Sequence, residues 1–380
     1  MLTYQLMKAH VPAPGVQPDW AWCLAMIPGF DQLERAPQDK VFHAEGNVLI
    51  HTMMVVMEMV NSDAYRDATE EERFILFYSA LLHDIAKPAT TVIDPDTGKI
   101  GQPGHSRRGA LDARIMLWRA MVPFAIREAI CRLISVHQVP FFAIAGNKSG
   151  QSAEFLVRKL SHEMDLHLLA ALAEADMRGR HYVGKEDCLV DIELFRELAR
   201  EEGCYRQPKA FADDHTRTAY FRGAGISPDH AYHKEPGSTV RMMCGLQASG
   251  KDTWVAKNAP GVPVVSFDAA LEGLGLRHGK NNGKAVHFAI DYAKELLRAK
   301  VPFVWNATHL SAQMRKKTLD LLYNYNAEVE IVYLEQQEKT LFARNSRRDT
   351  SLPNKVIEKM LFRWEVPLPT EANKVTYLAA

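Results

Sequence analysis

The spacing of apolar residues changes character partway along the chain, and that change restricts the fold more than any composition value. Up to about residue 205, apolar side chains recur at three- and four-residue intervals with few alternating β-branched runs, which is the pattern of packed helices. From 239 onward, strand-like runs (TVRMMCGL, VPVVSF, VPFVWNA and VEIVYLE) alternate with helical segments that start at Lys251 or cover 284–299 and 311–324. Strand–helix alternation calls for a largely parallel sheet covered by helices. The intervening stretch, 206–238, is rich in Pro, Gly, His and Asp and reads as a connector with little core. The expected architecture is therefore multidomain: an all-α helical bundle over 1–205, a connector over 206–238, and an α/β domain with a parallel sheet over 239–380. A length of 380 residues supports two or three domains.

Several helix boundaries are legible. Thr69, followed by Glu70, Glu71 and Glu72, caps one helix and places acid in its positive first turn. Pro88 is expected to end that helix after ERFILFYSALLHDIAK, so that His83 and Asp84 fall near its C-terminal end. Helices are also expected over SRRGALDARIMLWRAMV as far as Pro123, over PFAIREAICRLISV with His137 at its end, and as a pair over 152–178 with Asp176 near the end.

Composition excludes several classes. With 47% apolar residues the chain is neither disordered nor collagenous. Its 46 basic residues balance its 46 acidic ones, which argues against coating nucleic acid by bulk charge. The balance is uneven along the chain: residues 1–238 hold 26 Lys and Arg against 32 Asp and Glu, and 239–380 hold 20 against 14. Five separated cysteines (Cys23, Cys131, Cys188, Cys204 and Cys244) without a CxxC read as buried thiols of a reducing compartment. The first twenty residues lack the charged and apolar regions of a signal peptide, and no apolar run reaches membrane-spanning length. The expectation is a cytoplasmic protein with no membrane partner.

The helical half carries an ordered series of His51, His83, Asp84, His105, His137 and Asp176, each near a helix end or in an adjoining loop. Imidazole and carboxylate ligands gathered from several helices suit a divalent transition metal (Mn, Fe, Co, Ni or Zn) better than magnesium. One set of two His and two Asp would hold one ion, and two further histidines a second. Water bound in such a site becomes a nucleophile near neutral pH, which is a phosphoesterase design. The local sequences FHAEGNVLIHTMMVV, ALLHDIAKP, GHSRRGA, LISVHQVP and AEADMRGR resemble the HD phosphohydrolase superfamily, and especially the HD domain of bacterial CCA-adding enzymes, over nearly all of residues 20–200. The resemblance implies that His51, His83, Asp84 and Asp176 bind the first metal, while His105 and His137 support a second. His43 belongs to the same segment but stands outside this set. Lys87 is expected to face the substrate phosphate, and Arg178 and Arg180 to bind phosphate or cap their helix.

The α/β half opens with GLQASGKDT, Gly245 to Thr253, between a strand and a helix. Glycines let the backbone N–H groups wrap around phosphates, Lys251 reaches their oxygens, and the helix N-terminus adds positive potential. Gly245, Ser249, Gly250, Lys251, Asp252 and Thr253 are thus the expected nucleotide-phosphate and magnesium (or manganese) residues. The hydroxyl residue that normally follows the lysine is replaced by Asp252, and Thr253 supplies a hydroxyl one position later. Asp268 closes the second strand as VVSFD, where a carboxylate can take a proton from an attacking hydroxyl. Asn306, Thr308 and Arg315 follow the third strand, and Arg344, Arg347 and Arg348 share one short helical segment suited to a lid.

These pieces resemble the phage-type polynucleotide 5′-kinases, P-loop phosphotransferases, over about 239–380. The resemblance implies Lys251 for phosphate binding, Asp268 as general base, and Arg344 or a neighbour as transition-state clamp, with Arg315 also catalytic. That family commonly has an arginine three residues after the base. Leu271 stands there, and Arg277 or Lys280 could supply the charge.

An HD phosphohydrolase joined to a polynucleotide-kinase-like module resembles the bacterial HD-Pnk family of RNA end-healing enzymes. The resemblance implies opening of a 2′,3′-cyclic phosphate and removal of the monoester by the first half, and NTP-dependent phosphorylation of a 5′-hydroxyl by the second. It implies RNA ends as substrate, with DNA as an alternative, and a functional link to an RNA ligase. Two other readings stand beside it: a nucleotide-metabolism phosphohydrolase with a small-molecule kinase, and a nucleotide sensor that binds NTP without transfer.

Overall fold

The computed structural model describes residues 2–144, 150–276, 282–347 and 353–379; Arg277, Lys280 and Arg348 lie outside the described residues. The chain divides into two compact units, Met1–Lys209 and Ala210–Ala380.

In the first unit, α1 (Tyr4–Ala9), α2 (Trp20–Met26) and a 3-10 turn at Phe30–Arg35 lead into α3 (Val48–Asn61), α4 (Asp63–Arg66), α5 (Glu70–Leu82) and the one-turn α6 (Lys87–Thr90). A small antiparallel hairpin, β1 (Val92–Ile93) with β2 (Ile100–Gly101), precedes α7 (His105–Arg119), α8 (Phe124–Val136), α9 (Ala153–Ser161), α10 (Leu166–Arg178) and α11 (Lys185–Glu201). The α5 helix is buried without a break from Phe74 to Leu82, and α10 is buried over most of its length. A helix apolar on every side belongs at the centre of a bundle, and α3, α8 and α10 all pack on α5. Thr69 and Glu72 form the capping box that starts α5, with Thr69 Oγ1 accepting from Glu72 N at 3.2 Å and Glu72 Oε2 from Thr69 N at 2.8 Å.

The α5 helix ends earlier than its sequence pattern indicates, at Leu82, and Pro88 sits in the first turn of α6. Proline fits there because a first-turn N–H has no intrahelical acceptor. It therefore opens a helix here, and His83 and Asp84 stand in the tight turn between α5 and α6.

The second unit begins inside the stretch expected to be a bare connector. Asp213 caps α12 (Asp214–Phe221), whose buried Arg217 donates to the carbonyls of Pro369 and Asn373 at 2.7 Å each. The segment from 210 is thereby part of this unit. There follow β3 (Thr239–Cys244), α13 (Lys251–Asn258), β4 (Val264–Ser266), α14 (Phe267–Gly273), α15 (Asn282–Arg298), β5 (Phe303–Asn306), α16 (Ala312–Asn324), β6 (Glu328–Leu334), α17 (Glu338–Ser346), α18 (Asn354–Leu361) and β7 (Lys374–Leu378).

All five strands are parallel, in the order β4-β5-β3-β6-β7. Central β3 is buried on both faces through Val240, Met242, Met243 and Cys244, as a covered parallel strand requires. The edge strand β7, KVTYL, is half exposed and lacks the apolar run that marked the other four. No helix among the described residues is long and apolar enough to cross a membrane.

Candidate metal centre and phosphate loop

In the first unit, α3 supplies His51, the α5–α6 turn His83 and Asp84, the first residue of α7 His105, the C-cap of α8 His137, and the last turn of α10 Asp176. All six are at least nine-tenths buried. Their polar atoms converge. His51 Nε2 lies 3.1 Å from Asp176 Oδ1, 3.6 Å from Asp84 Oδ2 and 3.4 Å from His83 Nε2. His83 Nε2 is 3.1 Å from Asp84 Oδ2, and His105 Nε2 is 3.4 Å from Asp84 Oδ1. His137 Nε2 lies 3.8 Å from Asp176 Oδ2. The atoms fall into two triplets, His51–His83–Asp176 and Asp84–His105–His137. The expected four, His51, His83, Asp84 and Asp176, also meet, because Asp84 Oδ2 lies 3.1 Å from His83 Nε2 and 3.6 Å from His51 Nε2 while Asp84 Oδ1 faces His105.

Each ring has its other nitrogen committed. The Nδ1 atoms of His83, His105 and His137 lie 2.8 Å from the carbonyls of Ala80, Gln102 and Ile134, and His51 Nδ1 lies 3.0 Å from Glu45 Oε1. With Nδ1 committed, Nε2 is the ring nitrogen each histidine aims inward, as metal ligation needs. His137 Nε2 is buried without a hydrogen-bond partner. His51 and His83 turn Nε2 atoms toward each other at a spacing only a proton or cation between them relieves. Bonds of about 2.0–2.1 Å to a shared ion would hold two nitrogens roughly 3.0–3.4 Å apart. The donor set fits a divalent transition ion.

The charges around the cluster are balanced. Burial alone would raise Asp84, but His83 and Lys87 hold its carboxyl well below the usual range. Asp176 is likewise held down by Arg180 and His51 against the effect of burial. Burial pushes His137 down to about 3 and also lowers His105, which keeps both imidazoles neutral. Lys87 Nζ is 2.7 Å from both Asp84 Oδ2 and Gln38 Oε1, so it faces the cluster. Arg180 donates to both oxygens of Asp176 at 2.6–2.7 Å, while exposed Arg178 pairs with Glu174 at 2.8 Å and stands outside the cluster.

Glu45 is the residue missed from sequence. Its buried carboxylate lies 2.8 Å from His43 Nδ1 and 3.0 Å from His51 Nδ1, and its other oxygen accepts from His181 N at 2.9 Å. Burial would raise Glu45, yet the His43 and His51 hydrogen bonds keep it ionised. His43, lowered to about 4 by burial, holds this carboxylate. The spacing of two residues between His43 and Glu45 was the available signal.

In the second unit, the turn from β3 to α13 builds the loop. Gly245 has φ 146°, and a Cβ there would stand 2.3 Å from Leu334 O; Gly250 caps α13 at φ 102°. Only glycine fits the first position. Lys251 is folded back, with Nζ donating to Gly245 O at 3.1 Å and to Leu246 O at 2.8 Å. Ser249 Oγ is buried in the loop without a hydrogen-bond partner. Arg344, on α17, reaches Ser249 O at 3.5 Å and so overhangs the loop from the lid position. Asp252 accepts from Asn306 Nδ2 at 2.8 Å. Thr253 is exposed in the first turn of α13, and Asp268 is exposed in the first turn of α14, immediately past β4.

One expectation is corrected. Arg315 is an internal strut: fully buried, it donates to Glu371 Oε2 at 2.6 Å and Oε1 at 2.8 Å and to the carbonyls of His309, Leu310 and Glu365. Its donors are spent inside the fold, so it does not serve a substrate. Leu271, which stands where the resemblance would put an arginine, is a core residue of α14 and faces no acceptor.

Residues 240–367 match the family model of an AAA domain. Among curated proteins, an A-adding tRNA nucleotidyltransferase of Deinococcus radiodurans is 38% identical over 65 residues, covering 17% of this chain and 15% of that protein. A multifunctional CCA protein of Halorhodospira halophila is 33% identical over 103 residues, covering 27% and 22%. The chain thus spans less than a quarter of the length of either relative. Solved structures with a likeness include a sugar kinase from Janibacter sp. HTCC2649 (17% identity, TM-score 0.28, 37% of this chain and 85% of that one). A gluconokinase from Sinorhizobium meliloti 1021 is 18% identical, with TM-score 0.27 over 39% and 84%. The loop geometry and the family match together make the second unit an α/β domain of the phosphate-loop type.

Proposed function

We propose that this chain is a bifunctional RNA end-healing enzyme: a metal-dependent HD-type phosphoesterase acting on 2′,3′-cyclic phosphate ends, and an NTP-dependent kinase acting on 5′-hydroxyl ends. The observation that carries the reading is the presence in one chain of a buried six-residue His and Asp cluster with its Nε2 atoms aimed inward, and of a phosphate loop with its lysine. The partial likeness to a protein named as an A-adding tRNA nucleotidyltransferase supports RNA as the substrate class.

In the first unit, His51, His83, Asp84 and Asp176, with His105 and His137, would hold one or two divalent transition ions. A bound ion supplies Lewis-acid polarisation of a phosphoryl oxygen and lowers the pKa of water to near neutrality. The chain's own contribution is orientation and charge. Backbone carbonyls and Glu45 fix each imidazole, and Lys87 and Arg180 stand beside Asp84 and Asp176, ready to receive a phosphate.

In the second unit, Gly245, Ser249, Gly250, Lys251, Asp252 and Thr253 would bind the NTP phosphates and magnesium. Asp268 would take the proton of the 5′-hydroxyl as its oxygen bonds to the γ-phosphorus and the bond to the nucleoside diphosphate breaks. Arg344 would clamp the charge on the transferring group.

The test is an RNA bearing a 5′-hydroxyl and a 2′,3′-cyclic phosphate, incubated with ATP and a panel of Mn, Fe, Co, Ni, Zn and Mg. Conversion to a 5′-phosphate and a 3′-terminal hydroxyl is expected. Turnover of free nucleotides or small hydroxyl compounds with no change at either RNA end would refute the reading.

A further inference from the structure

The loop that follows β3 departs from the common phosphate-loop pattern at one residue, and the structure gives that departure a partner. In P-loop enzymes the ion that accompanies the nucleotide is held by a hydroxyl just after the lysine and by a carboxylate from a neighbouring strand. Here the residue after Lys251 is the carboxylate Asp252, and the residue closing β5 is the neutral amide Asn306. The strand β5 pairs directly with β3, which feeds the loop, with Met242 opposite Trp305, so Asn306 stands at the same edge of the sheet as the loop. Asn306 Nδ2 donates to Asp252 Oδ1 at 2.8 Å across 54 residues of sequence.

We infer that Asp252 and Asn306 are one exchanged pair that receives the divalent cation of the nucleotide: the carboxylate has moved from strand to helix, and the amide left on the strand locks it in place. The charge of the pair is −1 in either arrangement, so the cation meets the same field from a different element. Donation from Nδ2 also turns the Asn306 carbonyl oxygen away from Asp252, which leaves a hard oxygen of the kind magnesium takes.

Ser249 independently points to a ligand at this place. Its hydroxyl is 1% exposed, carries no hydrogen-bond partner, and stands in the loop 2.9 Å from where a Gly245 Cβ would lie. The inference rests on the reading of this loop as a nucleotide-phosphate site.

A carboxylate at the mouth of a phosphate cradle repels a nucleotide that arrives without its cation and attracts one that brings it. The pair therefore makes binding conditional on the divalent ion through the one carboxylate it carries. The experiment measures the affinity of the full chain for a fluorescent ATP analogue with and without Mg²⁺, with Lys251→Ala as the background for binding elsewhere. The isosteric variant Asp252→Asn keeps the hydrogen-bonding shape and removes the charge.

Its gain in affinity on adding Mg²⁺ is expected to fall at least tenfold below that of the wild type, with metal-free binding unchanged or tighter. The double exchange D252S/N306D should restore the wild-type gain. An unchanged gain in Asp252→Asn, or equal losses with and without Mg²⁺, would overturn the inference and leave the nucleotide site standing. Absence of any Lys251-dependent binding by the wild type would overturn both.

Discussion

At the scale of single residues, the cluster in the first unit is defined as much by what orients the ligands as by the ligands themselves. Glu45 holds His51 by Nδ1 and is itself held by His43 and His181. Loss of such a carboxylate typically costs about 10–100-fold in metal affinity. Glu45→Gln is accordingly expected to weaken binding of Mn²⁺ or Zn²⁺ by that factor in a chelator-competition titration, with the melting curve of the metal-free protein little changed. Equal metal affinity in the variant would show that His51 needs no such support.

The ligands themselves were legible because chemistry-bearing types recur in order along the chain. Glu45 was not, because a carboxylate two residues from a histidine looks like any solvated acid until the fold buries it. Arg315 misled in the opposite direction: a long cation after a strand reads as a phosphate binder, and only the Glu371 carboxylate and three carbonyls reveal a strut.

At the scale of elements, apolar spacing revealed the helices and four of the strands, and failed where packing decides. Edge strand β7 lacks an apolar run, and Pro88 opens α6 where its residue type alone indicates a stop. The phosphate loop depends on a further tie that sequence could not show. His309, past β5, lies with Nδ1 2.8 Å from Met243 O on β3 and with Nε2 3.2 Å from Thr318 Oγ1 on α16. Burial lowers this histidine to about 4.

An unfolded chain titrates its histidine near 6.5, so the unfolded state binds the proton first as pH falls. The stabilisation is whole above about 6.5 and is lost between there and about 4, on the order of 3 kcal/mol in all. Urea unfolding at pH 7 and pH 4.5 tests this. His309→Gln should lose markedly less stability over that interval than the wild type, and equal pH sensitivity would assign the effect to other groups.

At the scale of the whole molecule, the chain divides into two compact units, and the charge count follows the same division. The zero net charge combines an acidic first unit, 23 Lys and Arg against 28 Asp and Glu over 1–209, with a basic second unit, 23 against 18 over 210–380. An acidic half suits the gathering of cations, and a modestly basic half suits nucleotide and a strand end.

The central claim is that the two chemistries are separate. It is tested most directly by offering one RNA with a 5′-hydroxyl and a 2′,3′-cyclic phosphate to the wild type, His83→Ala and Lys251→Ala, each verified as folded, and scoring both ends. The account predicts that His83→Ala loses 3′-end healing and keeps 5′-phosphorylation, while Lys251→Ala does the reverse. Loss of both activities together in either folded variant would contradict it.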